Sequence, residues 1–319
     1  MTSPVFGPVP SRRLDHSLGI NNIPPKICSY SCVYCQLGKT TAMQIDRGYF
    51  YGPEDIARSV EAKLGQAGEK SEPVDYLTFV SDGEPSLDIN LGKAIGLLRS
   101  FGIKIAVITN ASLIWREDVR HDLCQADWVS LKVDAVSEDV WRRIDRPHKR
   151  LDPGKILNGM HSFGKVFTGE LVTETMLVQD FNDDEREINK IADFLCELKP
   201  ETAYLSIPTR PPAVRTVKGV EEEFINNAYQ LFAAKLDRVE YLVGYEGNAF
   251  AVTGDVVTDL LDITSVHPMR EDAVRDLLGK SGKSWDIVEA LIGKGVLTEM
   301  EYGGKKFYMR KLSTTTGSS

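Results

Sequence analysis

The chain is poor in cysteine and histidine, with five of each in 319 residues. Five cysteines, three of them clustered, suit a reducing cytosol better than a disulfide-knit scaffold. No apolar run approaches the roughly 20 residues that a membrane span needs. The amino-terminal Met-Thr-Ser-Pro-Val-Phe-Gly-Pro lacks the basic and apolar stretches of a secretory signal, so a reducing, cytoplasmic setting is expected. An excess of positive charge is missing too. The formal net charge is −8, which argues against a broad nucleic-acid surface. There is no glycine-rich phosphate loop after the first expected strand, which counts against a dinucleotide-binding domain. What is present is an ordinary globular composition, 42% hydrophobic and 26% charged, long enough for one large α/β domain and a small appendage.

Three of the five cysteines stand together: Cys28, Cys32 and Cys35 lie in Lys-Ile-Cys-Ser-Tyr-Ser-Cys-Val-Tyr-Cys-Gln. Thiolates prefer soft metals, and four of them complete a zinc or 4Fe–4S site. Here the local count stops at three. A cube held by three cysteines leaves one iron open to a further ligand. A zinc knuckle or incidental thiols are the plainer readings. Cys124 and Cys196 fall in helical patterns and read as small buried residues rather than ligands.

From residue 18 to 245 the pattern alternates between strand and helix. Strands are expected over 18–23, 74–80, 103–109, 128–134, 170–178 and 202–207, with 239–245 as one more at an edge. Helices are expected over 53–64, 87–100, 137–145, 153–163, 183–198 and 220–234. The first opens on proline and two acids and carries Ile56, Val60 and Leu64 at helical spacing. Six such repeats suggest a partial (β/α)6 barrel over 1–250, a doubly wound open sheet being the alternative. In barrels reactive residues collect at the carboxyl ends of the strands. The cysteine loop, Ser81-Asp82-Gly83-Glu84-Pro85 and Thr109-Asn110 each follow a strand directly.

The texture changes after Gly254. Three short amphipathic helices, near 256–263, 271–278 and 284–293, precede a hairpin that pairs 296–300 with 306–310 across Tyr302-Gly303-Gly304. This predicts a small winged-helix-like domain over 255–312, with 313–319 as a disordered tail. Its reading helix, Ser284-Trp-Asp-Ile-Val-Glu-Ala-Leu-Ile, is acidic and apolar and has no arginine for base edges. DNA is therefore not the expected partner, and a packing, lid or protein-contact role fits better. A metal-sensing winged-helix regulator is the competing function. It would need no polar strand-end motifs over some 200 residues.

The CxxxCxxC spacing, with Tyr34 before the last cysteine, resembles the radical S-adenosylmethionine (SAM) superfamily. The resemblance implies that Cys28, Cys32 and Cys35 ligate a 4Fe–4S cluster and that the open iron chelates SAM. Reductive cleavage then yields a 5′-deoxyadenosyl radical. It implies an electron donor such as flavodoxin or ferredoxin, and places the Tyr34 backbone near the adenine. Gly83-Glu84-Pro85 resembles the superfamily's Gly-Gly-Glu element for the amino group of SAM, with Asp82 in place of the first glycine. A carboxylate and backbone carbonyls suit an ammonium, although the same residues also favour a β-turn.

Alternation along 128–134 puts Ser130, Lys132 and Asp134 on the interior face. By resemblance Lys132 suits the SAM carboxylate and Asp134 the ribose, an internal Lys132–Asp134 ion pair being the alternative. Glu174 and Met176 share a face of the next strand. Ser130, Asn110, Asn182 in Asn-Asp-Asp-Glu, and Pro208 in Ser206-Ile-Pro-Thr-Arg-Pro-Pro are further expected SAM contacts, although Asn110 could equally cap a turn. The Asn182 run also reads as a helix N-cap.

Gly-Pro-Val-Pro-Ser-Arg-Arg-Leu, then Leu-Gly-Ile-Asn, a Pro-x-Lys step and Cys-Val-Tyr-Cys-Gln-Leu-Gly resemble a branch often grouped with wyosine-forming tRNA radical SAM enzymes. Asp15 departs from that pattern, where glycine is commoner. Two basic groups remain: Arg12, Arg13 and His16, and the run from Arg142 to Arg150 with Arg146 and His148. Near the cavity mouth they would select an anionic substrate, and His16 and His148 would be candidates for proton transfer. A small molecule, a peptide or tRNA is the expected substrate class.

Overall fold

The computed structural model describes residues 4–244 and 247–311, so the expected tail at 313–319 lies outside the described residues. One sheet of eight strands dominates it. Two strands form the entry: β1 (Val5–Ser11) and β2 (Asp15–Ile20). A short ribbon follows, β3 (Ile27–Cys28) and β4 (Ala42–Met43). Next come β5 (Tyr76–Phe79), β6 (Lys104–Thr109), β7 (Trp128–Lys132), β8 (Glu170–Met176), β9 (Thr202–Ser206) and β10 (Val239–Leu242). The sheet order β1-β2-β5-β6-β7-β8-β9-β10 follows the chain, with every pair from β2 onward parallel. Only β1 runs antiparallel, against β2.

Helices cover the outer face: α1 (Pro53–Glu69), α2 (Leu91–Leu98), α3 (Glu117–Leu123), α4 (Glu138–Ile144), α5 (Pro153–Gly164), α6 (Glu185–Leu198) and α7 (Glu222–Ala233). The reason is local. Pro53 at the first helical position and Glu54 and Asp55 in the first turn suit the amino end of α1, while Ile56 and Val60 turn inward to meet Leu77 and Phe79 in the core. Leu131 and Val133 face that core, as the alternation along 128–134 requires. A second, smaller apolar layer fills the inside of the sheet with Leu14, Ala106, Trp128, Val172 and Tyr204.

Several expectations need correction. The helix expected over 87–100 divides, because a 3₁₀ turn (Pro85–Leu87) precedes α2 and Asp88 spends its side chain on Asn90 N and Asn22 Nδ2. Cys196, expected to be buried, is exposed on α6. The strand β1 was not foreseen at all. Its Pro8 and Pro10 lack N–H donors, which an edge strand tolerates.

Beyond Gly254 lie α8 (Val256–Val266), β11 (Met269–Arg270), α9 (Glu271–Lys280), α10 (Asp286–Gly293), β12 (Leu297–Tyr302) and β13 (Lys305–Arg310). The last three strands form one antiparallel sheet in the order β11-β13-β12. Phe6 and Val9 of β1 share an apolar cluster with Phe250, Leu260 and Ile263, so the amino-terminal strand is packed on the carboxyl-terminal helices. A buried Lys63–Asp259 pair, 2.7 Å apart, ties α8 to α1. Among the described residues no helix is long and apolar enough to cross a membrane.

Candidate active site

The carboxyl ends of the parallel strands surround a cavity of about 310 Å³. Cys28, Cys32 and Cys35 all line it. Their loop is held from behind: Val33 N donates to Ile144 O at 2.9 Å, and Tyr34 Oη donates to Asp134. Burial pushes the Cys28 thiol up to about 12 and raises those of Cys32 and Cys35. Such thiols stay protonated and inert until a metal displaces their protons. Among the described residues no three Cys, His, Asp or Glu side chains converge as a single metal ion requires. A cube makes a different demand, since each thiolate binds a different iron, and three thiols around one hollow suit it.

Gly83 is what brings the second strand end to this loop. It bridges to Ile27, and an added Cβ would fall 1.9 Å from the Ile27 carbonyl oxygen. Only glycine allows the backbone this approach. Glu84 is fully committed within the fold. Its carboxylate accepts from Ser86 N (3.0 Å), Thr109 Oγ1 (2.6 Å) and Asn110 N (2.8 Å), joining the ends of β5 and β6. Pro85 starts the turn below it and, like Glu84, does not line the cavity. Asn110 does, and its Nδ2 donates to Ser29 Oγ at 3.0 Å.

Asp82 and Lys26 are different. Both line the cavity, Asp82 is 1% exposed, and its Oδ1 lies 3.6 Å from Lys26 Nζ. Neither carboxylate oxygen nor the ammonium makes a hydrogen bond. Burial, opposed by Lys26, raises the Asp82 carboxyl to about 7. A buried ion pair whose charged atoms make no hydrogen bonds is costly unless a ligand supplies them. In the sequence Lys26 stands out only as part of the Pro-x-Lys step. No local pattern shows that it meets Asp82.

The interior of the sheet holds a contrasting network. Arg13 reaches in from the β1–β2 turn, donates to Glu174 Oε2 at 2.6 Å and Ser130 Oγ at 3.3 Å, and lies over Trp128 and Tyr204. Lys132 Nζ is 3.3 Å from both Glu174 Oε1 and Asp134 Oδ1. The internal ion pair is thus present. Burial pulls the Lys132 ammonium down, but Asp134 and Glu174 outweigh it and its pKa is raised. Burial pushes Glu174 up, and Lys132 and Arg13 overcome this to hold it well below the usual carboxylate range. Lys132 and Glu174 line the cavity, whereas Ser130 and Asp134 do not. Asp134 accepts from Tyr34 Oη and from Met176 N. Asn182, fully buried, donates to the carbonyls of Asp134 and Met176 and accepts from Val178 N. It staples a loop away from the cavity, and Asp184 caps α6.

The basic groups divide. Arg12 and Arg13 line the cavity. His16 instead pairs with Asp75 at the surface, with Nδ1 2.8 Å from Oδ2. Arg146 and His148 also do not line the cavity; their loop follows α4 and is bonded through its backbone to Ser29 and Ser31. The last wall comes from the carboxyl-terminal region. Arg210 donates to Gln36 Oε1 (2.7 Å) and meets His267 Nε2 (3.0 Å), while Tyr302 Oη donates to the carbonyl of Pro208, which lines the cavity. Arg210 and Gln36 also border an adjoining hollow of about 160 Å³ with Val266 and His267. Sequence periodicity gave no sign of this contact.

The family model described as "Radical SAM superfamily" matches residues 22–195, more than half of the chain. The chain belongs to the radical SAM superfamily. It is an enzyme of that superfamily, and membership implies SAM and a 4Fe–4S cluster. It is 50% identical over 311 residues to the UPF0026 protein MJ1312 of Methanocaldococcus jannaschii, covering 97% of this chain and 96% of that one. An S-adenosylmethionine-dependent nucleotide dehydratase of Flammeovirga pacifica is 22% identical over 309 residues, covering 91% of this chain and 96% of that one. Among solved structures, TYW1 with a lysine–pyruvate adduct bound aligns with a TM-score of 0.55 at 18% identity. The match covers 70% of this chain and 76% of that one, a likeness of fold.

Proposed function

We propose that the protein holds a 4Fe–4S cluster on Cys28, Cys32 and Cys35 and a SAM molecule beside it, and acts on a small anionic substrate. Bound together, cluster and SAM supply a 5′-deoxyadenosyl radical once one electron cleaves the sulfonium carbon–sulfur bond. The observation that carries the reading is the Lys26–Asp82 ion pair in the cysteine-lined cavity, whose buried ammonium and carboxylate make no hydrogen bonds. The methionyl end of SAM offers an amino group to Asp82 and a carboxylate to Lys26. Lys132, already divided between Asp134 and Glu174, serves to orient Glu174 and the strand ends. Asn110 and Pro208 border the space left for the nucleoside.

The anionic substrate is supported by the charge of the walls. Arg12, Arg13, Lys26, Lys132 and Arg210 line the cavity against the carboxylates of Asp82 and Glu174 alone among the described residues. The relative named a nucleotide dehydratase acts, by its name, on an anion of this kind. The carboxyl-terminal helices and hairpin act as a winged-helix module used as a wall, since Gln36, next to Cys35, is bonded to Val266 O and Arg210. Excluding water is then a shared task of both parts of the chain.

The test is 5′-deoxyadenosine release from SAM by anaerobically reconstituted protein with dithionite. Product from the wild type and none from Cys32→Ala is the expected result. A wild type that carries a full cluster yet releases no product, with or without candidate anions, would overturn the reading.

A further inference from the structure

The hollow of about 160 Å³ that adjoins the cysteine-lined cavity is far larger than the roughly 10–15 Å³ that one ordered water needs. The two spaces share Arg13, Val80 and Ile108 among their walls, so one molecule can extend from one into the other. Ser11, Ser17 and Thr78 line only the hollow, and among the described residues no aspartate or glutamate lines it. Its walls hold hydrogen-bond donors that the fold does not use. Ser17 Oγ and Thr78 Oγ1, both on buried residues, lie 2.7 Å apart and share one hydrogen bond. A hydroxyl has a single proton, so whichever of the two donates, the other keeps an O–H to give. No acceptor for it occurs among the described residues. Ser11 Oγ accepts from Arg13 N (3.3 Å) and Leu14 N (3.2 Å) and likewise retains its own proton. Arg13 spends only Nη1, on Glu174 and Ser130, while its flat faces lie over Trp128 and Tyr204. Its Nε and Nη2 carry three more N–H groups in the guanidinium plane, with no acceptor among the described residues.

Donors gathered without acceptors suit an anion. Their number favours one kind. Three N–H groups on Arg13, one hydroxyl on Ser11 and one on the Ser17–Thr78 pair exceed the roughly four lone-pair sites of a carboxylate. A phosphate group offers three strong acceptor oxygens and about two charges near neutral pH. We propose that this hollow seats the phosphate of a phosphate-ester substrate whose reacting carbon lies past Val80 and Ile108, beside SAM. The inference rests on the radical SAM reading above and narrows its small anion to a phosphate ester. Arg13 then serves twice: Nη1 holds Glu174 for the fold, and the Nε and Nη2 edge holds the ligand. The phosphate is an anchor, and no bond to it forms or breaks.

The test uses the full chain with its cluster reconstituted, titrated anaerobically in a calorimeter with inorganic phosphate and with acetate, each with and without SAM. Wild type is expected to bind phosphate about tenfold more tightly than acetate, or better. Ser17→Ala/Thr78→Val replaces a bonded hydroxyl pair by apolar groups of similar shape, a change close to neutral for folding. It is expected to weaken phosphate binding by about tenfold, with a denaturant melt to verify the fold. Ser11→Ala should weaken it as well, and carries the comparison should the double variant not fold. Acetate bound as tightly as phosphate, no phosphate binding by the wild type, or equal binding by wild type and variants would each overturn the proposal. A reduced-cluster EPR signal indifferent to SAM would instead sink the radical SAM reading, and the titration without SAM would still decide the phosphate site.

Discussion

Two buried charge clusters that border the same cavity are built in opposite ways. In the sheet interior Arg13, Glu174, Lys132 and Asp134 satisfy one another, and each finds a partner within the fold. At the cysteine loop the side chains of Lys26 and Asp82 face each other at 3.6 Å, and their charged atoms make no hydrogen bonds. Burying an ionised group is unfavourable, and the deficit is met either by the fold or by a ligand. On the proposed function the first cluster belongs to architecture and the second to binding. Substitutions should therefore separate them: one set changes stability, the other changes affinity for SAM.

The largest effect is expected in the interior. Glu174→Gln leaves Arg13 and Lys132 without their shared carboxylate, and removing one member of a buried ionic group costs about 3–5 kcal/mol. Denaturant melts of the wild type and variant measure it. The pH dependence has a defined sign. Because Glu174 is held below its unfolded value, its contribution is present above the ordinary carboxylate range and is lost as pH falls through and below it. Equal melts at neutral pH would break the comparison.

Gly83→Ala comes next. The new Cβ would collide with the Ile27 carbonyl, so the ribbon carrying Cys28 must shift, at roughly 1–3 kcal/mol for forced overpacking. Iron content after reconstitution should fall further than the melting shift alone accounts for. An Ala variant that loads its cluster normally would show that the close approach of these two strand ends is dispensable.

Asp82→Asn sharpens the contrast most, because its two effects have opposite signs. With its carboxyl raised to about 7, folded Asp82 retains a proton that the unfolded chain has lost, so SAM-free wild type loses stability as pH rises from the ordinary carboxylate range to about 7. The amide has no such loss. The variant should melt higher than the wild type above pH 7 and match it in acid, while calorimetry shows weaker SAM binding. Lower stability together with unchanged SAM affinity would move Asp82 to the architectural side.

The sequence made the alternation legible, and with it the inward face of Lys132 and the outward face of Leu131. Periodicity reports which way a side chain points from its own strand. It does not report what meets it from 50 residues away. Lys26 finds Asp82 only because Lys26 N also bonds to the Asp82 carbonyl, a contact made by the fold. The cysteine triad and the strand-end position of Gly83 were legible because their spacing is local. His16 and the Arg146–His148 segment were misplaced for the converse reason. Their basic character is visible in the sequence, but the side of the cysteine loop they occupy depends on how α4 ends. The β1 strand was hidden by its prolines, and so was its packing on the carboxyl-terminal helices.

On the proposed function SAM binds at the iron that the three cysteines leave open. The most direct measurement is the EPR spectrum of the dithionite-reduced, reconstituted protein before and after SAM is added. A reduced-cluster signal that shifts with SAM in the wild type, and shifts far less in Asp82→Asn, is the predicted result. A fully reduced cluster whose spectrum is indifferent to SAM would contradict it.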